Sequence, residues 1–167
     1  MGAAIYPGTF DPVTFGHLDL IERGSRLFSR LVVAVARNFD KRPVFSAEER
    51  VQMLRELTAR IPNVEVDSFD GLIVEYARRR QVPCLLRGLR TISDFEYEFQ
   101  MALTNRDLAP DVETTFVMPS LKYSYVSSRL IRETVALGAD VTHLIPELVQ
   151  RRLREKLNLT EERRGGT

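Results

Sequence analysis

Residues 3–17 read AAIYPGTFDPVTFGH, and this stretch decides the fold. The apolar run at residues 3–6 is broken by Pro7 and Gly8, and apolar residues at helical spacing begin after Gly16. A short apolar strand followed by a turn and an amphipathic helix is the first unit of an alternating α/β chain. The stretch therefore predicts a βα unit with a polar loop at the carboxyl end of its strand.

The same alternation continues along the chain. Strands are predicted at residues 3–6, 31–36, 64–68, 84–87 and 114–118. Helices are predicted at 16–28, after a capping box at 46–49, at 72–80, after a second capping box at 93–96, from Ser127 to a stop at Gly138, and from Pro146 as a first helical residue to about 159. Alternating strands and helices indicate right-handed crossovers and a parallel sheet. We therefore expect one doubly wound, Rossmann-like α/β domain over residues 1–158, with a five-stranded parallel sheet flanked by helices, and a polar, disordered tail at 159–167.

Composition excludes several classes of protein. Lys and Arg total 24 against 23 Asp and Glu, so the chain lacks the positive excess with which proteins hold nucleic acid. One cysteine, Cys84, excludes an intrachain disulfide and a multi-cysteine zinc site, and its apolar surroundings favour a packing role. No signal segment opens the chain, and no apolar run approaches the ~20 residues of a membrane span. We expect a cytoplasmic protein that binds neither nucleic acid nor membrane.

Ligands of doubly wound sheets bind beyond the carboxyl ends of the strands. Neither a Gly-Lys-Ser/Thr phosphate loop nor a Gly-x-Gly-x-x-Gly turn is present. In the first loop Gly8 allows a phosphate to approach the backbone, Thr9 offers a hydroxyl, and His17 lies at a helix start that attracts anions. The alternative is that the prolines and Gly8 only shape a turn and that His17 is an exposed polar residue.

Three further loops carry cations or hydroxyls. Arg87 and Arg90 lie at the end of the fourth strand and can bind phosphate oxygens with their planar guanidinium groups, or they can pair with Asp94 or Glu96 of the next helix. The segment 123–129 combines hydroxyls, a helix start and Arg129, and the alternative there is plain N-capping by Ser127 or Ser128. Lys41 follows the second strand, where a lysine is otherwise a solvent-exposed side chain. All four loops lie on one edge of the sheet, which indicates a single polyphosphate site.

Residues 8–12 and 16–17, with 126–132, resemble the two signatures of the nucleotidylyltransferase superfamily. Residues 4–12, 45–50, 86–90, 94–98 and 125–128 resemble more narrowly the phosphopantetheine adenylyltransferases of bacterial coenzyme A synthesis. The likeness covers residues 3–158. Two departures are Phe39, where small residues or proline are common, and Arg129, where some members have a small residue.

The resemblance implies a reaction in which ATP and 4′-phosphopantetheine give 3′-dephospho-coenzyme A and pyrophosphate, with Mg2+ carried on the ATP phosphates and no protein metal site. It implies ATP contacts from Thr9, Phe10, His17, Gly88, Leu89, Arg90, Glu98, Tyr123, Ser124, Tyr125, Val126, Ser127, Ser128 and Arg129. It implies phosphopantetheine contacts from Thr9, Lys41, Arg87 and the backbone of Ile73, catalytic roles for His17, Lys41, Arg87 and Arg90, and a homohexamer.

With these parts the acceptor phosphate would attack the α-phosphorus of ATP in line, because no Cys or Ser is paired with a base to serve as a protein nucleophile. Catalysis would then consist of positioning and charge stabilisation. Three alternatives remain: a sister transferase acting on nicotinamide mononucleotide or a phosphorylated alcohol, a nucleotide sensor without chemistry, and a structural α/β module.

Overall fold

The computed structural model describes residues 2–37 and 43–157, and in that part of the chain five strands form one sheet. The strands are β1 (Ala3–Gly8), β2 (Arg30–Ala36), β3 (Val64–Phe69), β4 (Cys84–Gly88) and β5 (Glu113–Val117). Their order is β3-β2-β1-β4-β5, and all four neighbouring pairs are parallel. The prediction of a five-stranded, doubly wound parallel sheet is confirmed. Strands β2 and β3 lie on one side of β1 and strands β4 and β5 on the other, so the strand order reverses between β1 and β4.

Six α-helices connect or flank the described strands. They are α1 (Phe15–Leu27), α2 (Ala47–Thr58), α3 (Ile73–Arg79), α4 (Ile92–Leu108), α5 (Ser128–Ala136) and α6 (Glu147–Lys156). The capping box predicted at 46–49 is present, because the Ser46 hydroxyl accepts from the backbone N–H of Glu49 and the Glu49 carboxylate accepts from that of Ser46. Gly138 has a φ of +86°, the left-handed backbone predicted for a residue just beyond a helix end.

Three local predictions were wrong. The N-cap of α4 is Thr91, two residues before the predicted cap Ser93, because Thr91 is in extended backbone and its hydroxyl accepts from the N–H of Asp94, which leaves Ser93 inside the helix. Pro146 occupies the N-cap position just before α6, with a ψ of 146°, and the first helical residue is Glu147. Strand β1 continues through Pro7 and Gly8, because Gly8 still pairs with Val35 of β2.

The core has two layers, one on each face of the sheet. Alternate residues of the central strands point to opposite sides, so Ala4 and Val33 face one cluster while Ile5 and Val32 face the other. The first cluster is completed by apolar residues of α1, α2, α5 and α6, and the second by those of α3 and by Leu85. Both faces of the central strands are therefore covered, and the carboxyl edge of the sheet is left to form a site.

Cys84 is partly buried, packs against the first cluster and has its sulfur 3.4 Å from the hydroxyl oxygen of Thr115, which fits the predicted packing role. The tail predicted for 159–167 lies outside the described residues. Within residues 2–37 and 43–157, none of the helices is both long enough and apolar enough for a bilayer crossing.

Candidate active site

A cavity of about 800 Å³ opens at the carboxyl edge of the sheet, where the strand order reverses. Residues at or just beyond the ends of all five strands contribute to its walls, including Thr9, Arg37, Asp70, Gly88 and Pro119. Its position is the one at which doubly wound sheets bind their ligands. The cavity is therefore the candidate active site.

The structure brings most of the predicted site residues to this cavity. Its walls include Thr9, His17, Ile73, Arg87, Gly88, Arg90, Glu98, Val126, Ser127, Ser128 and Arg129. Five other predicted residues are not part of its lining: Phe10, Leu89, Tyr123, Ser124 and Tyr125. Lys41 lies outside the described residues.

His17 is held in one orientation by the residue that caps its helix. Its Nδ1 accepts the backbone N–H of Thr14 at 3.0 Å, and the backbone N–H of His17 donates to the Thr14 hydroxyl at 3.3 Å. Burial of the ring, and then the positive charges of Arg90 and Arg87, lower the pKa of His17 to about 3. Because the neutral ring accepts at Nδ1, its proton is on Nε2, and the side chain is a neutral donor at the wall of the cavity.

Phe10 supports the loop from beneath instead of lining the cavity. Its backbone is left-handed, with a φ of 52°, and its fully buried ring packs edge-on against the ring of His17 with centroids 5.0 Å apart. A Cβ on Gly8 would be 2.9 Å from the Phe10 ring. Glycine is therefore required at position 8 by the close approach of this ring, in addition to any approach by a phosphate.

Arg87 is anchored on two sides. All three nitrogens of its guanidinium group are used: Nε donates to Glu98 at 2.7 Å, Nη2 donates to the other oxygen of the same carboxylate, and Nη1 donates to the carbonyl of Pro7 at 2.7 Å. Glu98 is buried. The pair joins β4, α4 and the end of β1, so its geometry is fixed before any ligand binds.

Arg90 pairs with a carboxylate of the next helix and also lines the cavity, so the two roles that the sequence allowed are compatible. It pairs with Asp94, one turn into α4, at 2.8 Å, and its Nη1 also donates to the carbonyl of Val126 at 2.7 Å. The guanidinium group still lines the cavity and lies close enough to His17 to lower the pKa of that ring. Arg90 therefore connects the β4 loop to the segment that precedes α5.

The segment before α5 is tied to the first loop. Ser127 caps the helix by accepting from the N–H of Leu130, and the Ser128 hydroxyl donates to the carbonyl of Pro12 at 2.8 Å. Arg129 is paired with Glu133 and its side chain is 81% exposed, so it lies at the rim. The capping role left open for Ser127 is present, and Ser128 has a structural contact as well as a position on the cavity wall.

One wall of the cavity was missed by sequence reasoning. Tyr97, Met101, Ala102 and Asn105 of α4 line it together with Glu98. These positions recur at three- and four-residue intervals, so they share one face of the helix. The sequence did contain a signal for this wall: Glu98 was a predicted site residue, and the residues three and four positions away from it lie on the same face of the helix.

A buried carboxylate was also missed. Asp11 is 2% exposed, and its two oxygens accept the backbone N–H groups of Val44 and Phe45, each at 2.9 Å. Arg132 of α5 donates to the Asp11 carbonyl and lies 3.3 Å from its carboxylate. Asp11 therefore connects the β1–α1 loop to the segment before α2 and to α5. Among residues 2–37 and 43–157, no three His, Cys, Asp or Glu side chains come together as a set of metal ligands.

Comparisons with solved structures identify the fold. A putative nicotinate-nucleotide adenylyltransferase from Vibrio parahaemolyticus superposes on 91% of the chain with a TM-score of 0.62 at 18% identity. A lipopolysaccharide core biosynthesis protein from Thermoplasma volcanium superposes on 72% of the chain with a TM-score of 0.52 at 21% identity. Each of these superpositions covers 97% of the solved chain. At these identities the likeness concerns architecture alone.

Comparisons of sequence identify the family. The model of the cytidylyltransferase-like family matches residues 5–134. The phosphopantetheine adenylyltransferase of Caldanaerobacter subterraneus is 55% identical over 93% of this chain and 98% of its own, and that of Synechococcus elongatus is 52% identical over 96% of each. The chain therefore belongs to the cytidylyltransferase-like family and, by its relatives, to the phosphopantetheine adenylyltransferases.

Proposed function

We propose that the chain transfers the adenylyl group of ATP to 4′-phosphopantetheine, giving 3′-dephospho-coenzyme A and pyrophosphate. Its relatives' names state the acceptor and the group transferred, and they cover nearly the whole chain. The observation in the chain itself that supports this proposal is the neutral His17 donor beside Arg87 and Arg90 at the cavity wall. Such a set of donors suits a transferred phosphoryl centre, whose equatorial oxygens gain charge in the transition state.

The transfer is a direct displacement. A phosphate oxygen of the acceptor forms a bond to the α-phosphorus of ATP while the bond from that phosphorus to the bridging oxygen breaks, and the electron pair leaves with pyrophosphate. His17 donates from Nε2 to an α-phosphate oxygen, and Arg90 stabilises the negative charge that builds there. No covalent intermediate with the protein forms, and rate enhancement comes from positioning and electrostatics.

The acceptor binds on the other side of the same cavity. Thr9, the backbone at Ile73 and the anchored Arg87 hold it, and Lys41 binds its phosphate by analogy with the family signature. Ile73 at the start of α3 and Arg87 near the end of β4 both line the cavity, which supports this arrangement. ATP is held by the β1–α1 loop, the β4 loop and the segment from Tyr123 to Arg129.

Magnesium enters with the nucleotide as part of the substrate. Mg2+ keeps most of its water and is commonly held by substrate phosphates with few protein ligands.

We also propose a cytoplasmic homohexamer. Ile92, Phe95, Phe99 and Leu103 form an exposed apolar stripe along α4, with Ile92 83% exposed and the others near half. Their spacing of three and four residues places them on one helix face, and a stripe of this kind on a monomer is a typical protein contact. The number six comes from the resemblance to the family. The free Cys84 suits a reducing compartment.

The proposal is tested by pyrophosphate release from MgATP with and without 4′-phosphopantetheine, followed by mass analysis of the product. Release that requires phosphopantetheine and yields dephospho-coenzyme A supports it. Nicotinamide mononucleotide serves as the control acceptor, and turnover with it alone would replace the acceptor in the proposal. Binding of MgATP by calorimetry without release in any mixture would indicate a nucleotide sensor.

A further inference from the structure

A closed ring of hydrogen bonds joins α1 to the loop after β5. Asp19 Oδ2 accepts the backbone N–H of Ser120 at 2.8 Å, and Asp19 Oδ1 accepts the Ser120 hydroxyl at 2.6 Å. Arg23 completes the ring, with Nε donating to Asp19 Oδ2 at 3.0 Å and Nη2 donating to the Ser120 hydroxyl oxygen at 2.8 Å. Asp19 and Ser120 are 101 residues apart in the chain, so the ring is a tertiary connection and not a local cap.

The chemistry of the ring is complete without a ligand. The Ser120 hydroxyl uses its proton on Asp19 and a lone pair on Arg23, and each Asp19 oxygen accepts at least one donor. Burial opposes ionisation of Asp19, but the bonds from Ser120 and Arg23 outweigh it and hold the pKa of that carboxyl below its ordinary value. Asp19 is therefore an ionised acceptor whose partners are fixed in direction.

The position of the ring connects it to the nucleotide side of the site. Asp19 follows His17 by two residues on α1, while Ser120 follows Pro119, which lines the cavity. The next turn lies against the start of the same helix, since Tyr123 stacks on Phe15 with centroids 5.8 Å apart. A Cβ on Gly16 would lie 3.6 Å from the Tyr123 carbonyl, so the two segments are in close contact there too.

We infer that Asp19 is a positioning residue for nucleotide binding, which acts through Ser120 to set the segment 119–128 at a fixed distance from His17. Asp19 does not line the cavity itself. Of the acceptor contacts proposed above, Ile73 and Arg87 lie on other elements that the ring does not touch, and Thr9 precedes α1 and makes no bond with the ring. Loss of the ring should therefore weaken ATP binding and leave acceptor binding unchanged. The inference rests on the proposed function.

Asp19→Ala and Ser120→Ala are the test variants, with Asp19→Asn as a milder change that keeps the shape of the side chain. The matched control is Glu22→Ala, which removes the other carboxylate of α1 that pairs with an arginine four residues on, since the Glu22–Arg26 pair is exposed and stays within the helix. KM is measured for each substrate at saturating concentration of the other. The dissociation constant of MgATP is measured separately by calorimetry, and folding by circular dichroism.

We expect Asp19→Ala to raise the KM for ATP and the dissociation constant of MgATP about tenfold, the scale for losing hydrogen bonds to a charged group. The KM for phosphopantetheine should stay within about twofold of the unmutated value, on the physical separation of the two sets of contacts. Asp19→Asn should have a smaller effect in the same direction, because a flipped amide can still accept from Ser120 and Arg23. The double variant Asp19→Ala/Ser120→Ala should match Asp19→Ala alone.

Equal increases in both KM values would overturn the inference, as would effects of Asp19→Ala and Ser120→Ala that multiply in the double variant. An effect of Glu22→Ala as large as that of Asp19→Ala would overturn it too. If Asp19→Ala does not fold, Asp19→Asn and Ser120→Ala decide the question by the same split. Failure of the proposed function is a separate result, since it appears as absent turnover in the unmutated chain while calorimetry still reports MgATP binding.

Discussion

The Nδ1 atom of His17 accepts the backbone N–H of Thr14 at 3.0 Å, and this contact decides which face of the imidazole is available to a ligand. The same two residues form a capping box, because the Thr14 hydroxyl accepts from the backbone N–H of His17. A histidine here thus replaces the glutamate or glutamine usual at the third helical position. The helix start and the orientation of the proposed donor are one arrangement, so substitutions must separate the two roles.

His17→Asn separates them. The asparagine oxygen lies near the position of Nδ1 and can keep the bond to Thr14, but no donor remains at the position of Nε2. We expect the kcat for adenylyl transfer to fall roughly 10²–10³-fold, the scale for losing one donor to a developing negative charge. The measurement is steady-state turnover with both substrates saturating.

His17→Gln is the matched control, because its amide nitrogen can reach toward the Nε2 position. It should retain more activity than His17→Asn, and both variants should keep the thermal unfolding temperature within a few degrees. A drop in kcat of less than about threefold for folded His17→Asn would contradict a transition-state role on that scale.

Stability should depend on pH through the same ring. The pKa of His17 is about 3 in the folded chain against an ordinary value of 6.5. Between those values the unfolded chain binds a proton that the folded chain does not, so the free energy of unfolding falls as the pH is lowered. The full contribution is present above pH 6.5, and lowering the pH from 7 to 5 should remove about 2 kcal/mol.

Urea unfolding at pH 7 and pH 5 measures this loss, and the comparison with His17→Asn isolates it from the titration of other groups. The variant should lose about 2 kcal/mol less than the unmutated chain over this interval. Equal losses in the two proteins would mean that His17 is protonated in the folded state near pH 5.

The fold could be predicted because its signals are local. The buried run at 31–36 and the box at Ser46 are each visible within a few residues, and the parallel order follows from alternation. The start of α4 was misplaced because Thr91 and Ser93 are both good caps, and only the backbone distinguishes them: Thr91 is extended, with a φ of −137°.

The site was harder to predict because its supports are distant in sequence. Arg132 contacts Asp11 across 121 residues, and no periodicity links those two positions. Arg87 and Arg90 could be found because they lie at or just beyond the end of β4, and all strands of a parallel sheet end on one edge. That Arg87 is already held by Glu98 and by the Pro7 carbonyl could not be deduced, since it depends on how α4 packs.

Gly88 allows α1 to pack against the end of β4. A Cβ at this position would lie 2.4 Å from Cδ1 of Leu20, which is 4% exposed. We expect Gly88→Ala to destabilise the chain by about 1–3 kcal/mol, the usual cost of overpacking a core. Adding Leu20→Ala should cost less in this background than in the unmutated chain, because the new methyl group occupies part of the space.

Urea unfolding of the two single variants and the double variant measures this coupling. Gly2→Ala is the control, because a Cβ there would meet no heavy atom within 4 Å, and its stability should match that of the unmutated chain. Additive costs for Gly88→Ala and Leu20→Ala would show that Leu20 moves aside freely.

The apolar stripe on α4 should govern assembly. Phe95 and Phe99 stack with ring centroids 5.7 Å apart, and Leu103 continues the stripe one turn further on. Opposite them the helix lines the cavity with Met101 and Asn105, so α4 would connect the site to an interface between copies. Burial of a charge in such an interface without a partner is costly.

We therefore expect Leu103→Glu to shift the sedimentation of the protein from a hexamer to smaller species at micromolar concentration, while circular dichroism stays unchanged. Gln52→Glu is the control, because it adds the same charge to an exposed polar position of α2 and should leave the hexamer intact. A hexamer that persists in Leu103→Glu would place the contact elsewhere, and an unmutated chain that sediments as a monomer would contradict the proposed assembly. Activity measured on the smaller species then tests whether α4 keeps its cavity face in place without a partner.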